Sequence, residues 1–287
     1  MHLTCRLPLL LLVAALPAGA NLRAPYRVDG KFGAHIDAEH AHPELVLVHE
    51  RFDARLPTLS VGDAPPTHAG LSITYTIDNV AGALITLPVR FLAIGASDAR
   101  VEVNGAPVAH QEVRDPTERA AALAALAASR CRSVEGCEPE RVRASLEHEL
   151  NRDTSDVDSI AFEVAFVPGP NTIRVRYAQA LTVREGAYGY FMRGTFGTLG
   201  ASYGFDYLLF PAQTWRHSER FRFDVTVDVP DVIDRGWWST SFLPPVSIES
   251  TLPLATSRAP HPSTTLRGQL TGFPVDVFTL TVHVPRQ

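Results

Sequence analysis

Lysine is nearly missing from this chain: Lys31 is the only one in 287 residues, so a lysine nucleophile or phosphate clamp has a single candidate position. Basic side chains as a whole are outnumbered, 26 against 31 acidic ones, for a net charge of −5. No basic run occurs. Nucleic acid and anionic lipid are bound through their phosphates, so a mildly acidic chain of this kind is a poor match for either. Beyond residue 20 no stretch is long enough and free enough of charge to form a membrane helix. Cysteine is scarce, with three residues. What is plentiful is ordinary core material: 45% of the residues are hydrophobic, which suits one large β-sandwich or two adjoining small ones rather than a disordered chain.

The N-terminus has a layout of its own. Arg6 precedes a leucine-rich run from Leu7 to Leu16, and Ala18-Gly19-Ala20 closes it with small residues, the three parts of a secretory signal peptide. The run is shorter than the roughly 20 apolar residues a membrane span needs. Cys5 lies before it, not just after it, where a lipid-anchored cysteine sits. The sequence therefore predicts a signal peptide at 1–20, cleavage after Ala20, a mature chain from Asn21, and a secreted or periplasmic protein without a membrane span. Cys131 and Cys137 survive that cleavage and, in an oxidising compartment, are expected to form a local disulfide. A closed zinc site wants four ligands, and His148 is the nearest histidine to the pair.

Period-two alternation dominates the rest. Leu71, Ile73, Tyr75 and Ile77 alternate with polar residues, as do Ile160 to Phe166, Ile173 to Tyr177, Phe221 to Val229 and Phe278 to Val284. Strands of this type bury one face and wet the other. Ala83 to Ala93 is more continuously apolar and reads as a central strand. Asn104-Gly105 sits between two strand segments where a type I′ turn needs positive φ twice. Val167-Pro168-Gly169-Pro170 separates two alternating strands and reads as a hairpin loop. The expected fold is mainly β, an antiparallel β-sandwich. A closed outer-membrane barrel fits less well, because the strands carry charge on one side and the chain ends on Arg286-Gln287 without a terminal aromatic.

One segment departs from the β pattern. Asp115 can cap a helix that has Pro116 at its first position, and an alanine-rich stretch with Leu123 and Leu126 follows. A second helix opens near Pro139 and carries Val142, Leu146 and Leu150 at four-residue spacing. The sequence thus predicts an N-terminal β region at 21–114, a helical hairpin insertion at 115–151 and a C-terminal β region at 152–287. Each helix has a narrow apolar stripe, and the expectation is a projecting arm, with a lid packed on a sheet as the alternative.

Three short motifs carry a resemblance: Tyr75-Thr-Ile-Asp78-Asn79 leading to Leu87-Pro88, Asn171-Thr-Ile-Arg-Val-Arg-Tyr177, and Tyr207-Leu-Leu-Phe-Pro211-Ala-Gln-Thr-Trp215 ahead of the Phe221 strand. In this order the chain resembles a family of secreted bacterial β-proteins of unknown function. The resemblance implies a two-part β-sandwich and no activity.

Four groups of residues could carry chemistry. Gly200-Ala-Ser202-Tyr-Gly204 has the G-x-S-x-G form of a nucleophile elbow, but the elbow needs a strand before and a helix after it, and an apolar strand-like run stopped by Pro211 follows. Asp224 with His261 or His283 would complete a triad in chain order; the expectation instead is a glycine-rich loop with Ser202 structural. His35, His40, His42 and His49 are interleaved with acids, and His40 and His42 are candidate metal ligands on one strand face, although solvated side chains explain the segment as well. Asp153, Asp156 and Asp158 lack the glycine and closing glutamate of a calcium loop. Trp237 and Trp238 could stack on a sugar ring, whereas Trp215 reads as a core residue. No cofactor is called for. The leading functional expectation is a non-catalytic extracytoplasmic binding or assembly module for a protein or polysaccharide, with a carbohydrate-active or serine-type secreted hydrolase as the alternative.

Overall fold

A computed structural model describes residues 20–22, 42–59, 68–93, 95–132, 136–150, 157–188, 198–209, 211–230, 247–258 and 263–285. The predicted signal peptide, His35, His40, Trp237, Trp238 and His261 lie outside the described residues, apart from Ala20 at the predicted cleavage site. The strands among the described residues, sixteen in all, are numbered in chain order. The first nine are β1 (Ala20–Leu22), β2 (Leu45–Arg55), β3 (His68–Asn79), β4 (Ile85–Ala93), β5 (Ala96–Val103), β6 (Ala106–Pro107), β7 (His110–Val113), β8 (Ser159–Phe166) and β9 (Gly169–Ala180). The rest are β10 (Thr182–Tyr188), β11 (Thr198–Leu208), β12 (Arg216–Pro230), β13 (Ser247–Ser250), β14 (Ala255–Arg258), β15 (Ser263–Leu270) and β16 (Val277–Pro285). They form an eight-stranded sheet, β14-β15-β12-β2-β3-β9-β5-β6, and two four-stranded sheets, β1-β4-β8-β7 and β10-β11-β16-β13. The pairing is antiparallel except between β12 and β2, which run parallel at the centre of the large sheet.

Alternation decides which side chains go inward. On β12 the buried set is Phe221, Phe223, Val225, Val227 and Val229; on β8 it is Ile160, Phe162, Val164 and Phe166. These sets belong to one apolar core shared by all three sheets. Phe52 from β2 meets Phe205, Tyr207 and Phe278 there, with ring centroids 4.5 to 6.0 Å apart. Burying each such side chain contributes on the order of 1.5–3 kcal/mol. Trp215 is 4% exposed and joins this core, as its position at a strand boundary suggested.

One strand connection differs from the reading of the sequence. Val167 and Pro168 do not close a hairpin, because β8 pairs with β4 and β7 while β9 pairs with β3 and β5. The segment is a corner between sheets, and the turn from β3 to β4 is a second corner beside it. A corner strands backbone polar groups, and two buried asparagines satisfy them. Asn79 Nδ2 donates to the carbonyls of Ala83 and Phe166, at 2.7 and 2.8 Å, and its Oδ1 accepts from the Ala81 N–H. Asn171 Nδ2 donates to Val167 and Gly169 carbonyls, both at 2.8 Å. The Asn104-Gly105 turn is as expected, with φ of 50° and 78°, and Asn104 Nδ2 reaches Asn171 Oδ1.

The hairpin consists of α1 (Pro116–Cys131) and α2 (Pro139–Leu150), joined by the Cys131–Cys137 disulfide with Cα atoms 5.1 Å apart. Asp115 caps α1 through Oδ1, which accepts from the Thr117 N–H. The projecting-arm expectation is wrong. Ala122, Leu123, Leu126 and Ala127 are buried against Leu92 of β4, Leu208 of β11 and Val277 of β16. Leu92 lies between core-facing Phe91 and Ala93, and Leu208 follows core-facing Tyr207, so α1 covers the outer faces of both small sheets. The continuous apolar run of β4 has the same cause: its end is covered on both sides. Arg119 Nε donates to Asp158 Oδ1 at 2.5 Å, and Arg90 pairs with Asp115 at 2.9 Å, fixing the base of the helix.

Candidate functional site

Ser202 is not in a loop. It lies in the middle of β11, whose phase is set by Ala201, Tyr203, Phe205 and Tyr207 facing the core. Glycines at 200 and 204 and the small Ala201 hide that alternation in the sequence. Ser202 is opposite His283 across the β11–β16 ladder, and His283 is opposite Ser247 across β16–β13. One rung of the outer face therefore brings together a hydroxyl and an imidazole. Ser202 Oγ is 2.6 Å from His283 Nδ1, and His283 Nε2 is 3.4 Å from Glu249 Oε1 on β13. Farther along the same face Thr279 donates to Asp206 Oδ1 at 2.5 Å.

The acid named from chain order, Asp224, is elsewhere. It accepts from Gln269 at 3.0 Å and pairs with His49 at 2.9 Å on the large sheet. Of the histidine-rich segment, His35 and His40 lie outside the described residues, and His49 lies at this pair while neighbouring Glu50 points into the core. A bulge at Val48, where the β2–β3 register shifts between Leu47 and His49, changes the phase of the strand and turns Glu50 inward. Tyr207 donates to Glu50 Oε1 at 2.7 Å, so the Tyr75 hydroxyl donates to Tyr207 at 2.9 Å. Burial first, then Glu50, Tyr75 and Tyr177, pushes the Tyr207 phenol well above its ordinary pKa. Among the described residues no three His, Cys, Asp or Glu side chains gather as a metal site. Asp158, from the acidic run after α2, is fully buried under Arg119.

A different feature went unread in the sequence. Val80, Leu84 and Val167 are 55%, 62% and 44% exposed, the large apolar side chains left in water among the described residues. All three sit on the two corners that Asn79 and Asn171 hold rigid. The corner segments Val80-Ala-Gly-Ala-Leu84 and Val167-Pro-Gly-Pro170, with the Asn104-Gly-Ala-Pro107 turn joined to them through Asn171, contain no charged residue. Three valines and leucines spread over two loops are too few for any window of sequence to reveal.

No protein-family model matches the chain, and no curated protein sequence matches it. Among solved structures it is similar to a proposed nutrient-binding protein of Legionella pneumophila, at 12% identity and a TM-score of 0.48, over 93% of this chain and 72% of that one. It is also similar to an M1 zinc metallopeptidase from Deinococcus radiodurans, at 12% identity and a TM-score of 0.39, over 84% of this chain and 42% of the other. Yeast LTA4 hydrolase gives 8% identity and a TM-score of 0.40, over 90% and 31%. The chain spans less than half the length of either enzyme. All three TM-scores lie below 0.5, and none carries an argument about this chain.

Proposed function

We propose that the chain is an extracytoplasmic binding or assembly module, exported by cleavage after Ala20 and related to the secreted β-proteins it resembles. In this reading the eight-stranded sheet is one layer of a β-sandwich, and the two small sheets are the other. The observation that carries it is the apolar tip. Val80, Leu84 and Val167 are exposed on corners whose backbone is pinned by the hydrogen bonds of two buried asparagines, so the patch is presented in one conformation. An exposed apolar patch marks an interaction site, and among the described residues these are the large apolar side chains left in water. Its occupant is a folded protein with an apolar pocket. Membrane-docking tips combine apolar residues with Trp, Tyr, Lys or Arg, and these turns contain none. Glu44 and Asp78 flank the tip and would repel an anionic bilayer or polymer. Helices supply no span: among the described residues no helix is long and apolar enough to cross a membrane.

The test compares the mature protein with its Val80→Ser, Leu84→Ser, Val167→Ser triple variant as affinity baits in an extract of the native envelope. The variant should melt like the parent and retain none of the parent's partner. Equal retention of the same proteins by both baits would contradict the reading.

A further inference from the structure

Beyond docking, and independently of it, we propose that Ser202 is an acylable serine that takes the acyl group of an ester, with His283 as its base and Glu249 as a positioning residue. Ser202 and His283 stand at proton-transfer distance, and Glu249 stands at ion-pair distance from the imidazole. Ser202 Oγ is 2.6 Å from His283 Nδ1, and Glu249 Oε1 stands 3.4 Å from Nε2 on the far side of the ring. A carboxylate near Nε2 favours the tautomer that keeps its proton there, which leaves the Nδ1 lone pair to accept from the Ser202 hydroxyl. Gly200 and Gly204 flank Ser202 on the same face of β11, so its own strand places no side chain beside the hydroxyl. Exposure is graded from β11 to β13: Ser202 is 5% exposed, the His283 side chain 24% and the Glu249 side chain 75%. An ester therefore arrives over β13 and β16, while the Ser202–His283 bond stays in a dry setting that strengthens it.

In the step, a lone pair of Ser202 Oγ attacks the ester carbonyl carbon as the hydroxyl proton passes to His283 Nδ1. The tetrahedral oxyanion then collapses, the bond to the alkoxide breaks, and the alkoxide takes the proton from Nδ1 and leaves as an alcohol. The acyl group remains as an ester on Ser202 until water, deprotonated by the same nitrogen, releases it as a carboxylic acid. β11 is paired on both sides, with β10 and β16, so its backbone N–H groups serve the ladders rather than an oxyanion. Acylation and deacylation are both slow for that reason, and the acyl form accumulates with an activated ester, whose good leaving group makes acylation the faster step. This restores the serine-type chemistry considered from the sequence, with Glu249 in the place given to Asp224.

The test is covalent labelling of the mature protein with a fluorophosphonate and, separately, with p-nitrophenyl acetate, read by intact mass and peptide mapping. One adduct per chain is expected, on Ser202, and none in Ser202→Ala. Labelling should be about 100-fold slower in His283→Asn, the lower end of what a general base supplies, and a few-fold slower in Glu249→Gln. Circular dichroism and melting temperature check each variant, and His283→Gln replaces the asparagine variant if that one does not fold. No adduct on the folded parent, an adduct on another residue, or a rate indifferent to His283 would overturn the proposal.

Discussion

Arg119 and Asp158 show how much one side chain can carry. Asp158 is fully buried and accepts from both Arg119 Nε and the Asp115 N–H, so removing the guanidinium leaves a charge with half its support. Arg119→Ala is expected to cost about 3 kcal/mol or more, whereas Arg132→Ala, whose pair with Asp276 is in water, should cost less than about 1 kcal/mol; urea denaturation measures both. His217 gives a pH dependence. Its ring stacks on Phe221 at 4.5 Å and its Nε2–H donates to the Ala212 carbonyl at 3.1 Å, while burial holds its pKa below the ordinary 6.5. Below pH 6.5 the unfolded chain therefore binds more protons than the native one, and stability falls as the pH drops through that window. The fall in melting temperature between pH 7 and pH 5.5 should be smaller in His217→Phe than in the parent. At this scale the sequence was a partial guide. Trp215, the cysteines and Asp115 could be read directly, but His283 is brought to Ser202, and Glu249 to His283, by strand pairing, and Glu50 is turned inward by a one-residue bulge.

Elements were more legible than their partners. The strands at 160–166 and 221–229 and both helices follow from periodicity and capping, which are local. Whether two consecutive strands pair is not local, and β8 and β9 belong to different sheets although a Pro-Gly turn joins them. The docking of α1 was equally hidden, because a narrow stripe of Leu123 and Leu126 suits either an arm or a lid. Its burial against Leu92, Leu208 and Val277 has a measurable consequence. Leu126→Ala should destabilise the whole protein by about 2–5 kcal/mol, the usual cost for a buried leucine. A loss confined to helix signal, with an unchanged global melt, would return α1 to the role of an arm.

For the whole molecule, the large sheet is what binds the two sequence halves. β2, β3 and β5 precede the hairpin and β9, β12 and β15 follow it, yet β12 lies between β2 and β15, and β9 between β3 and β5. Alternation tells which face a strand buries but never which strand lies beside it, so this interleaving leaves no trace in the sequence. Residues 21–114 alone lose β12 from β2, β9 from β3 and β5, and β8 from β4. That fragment should show no cooperative melt by circular dichroism, and a cooperative one would make it a domain of its own. The same architecture gathers two inter-sheet corners into the rigid apolar tip on which the binding reading stands. The most direct measurement is site-specific photo-crosslinking in the native envelope, with a benzophenone residue at Leu84 and, as control, at Glu163, exposed on β8 outside the corners. The account predicts one protein adduct of discrete mass from position 84, abolished by Val80→Ser with Val167→Ser, and none from position 163. Adducts of equal yield at both positions, or lipid alone at 84, would contradict it.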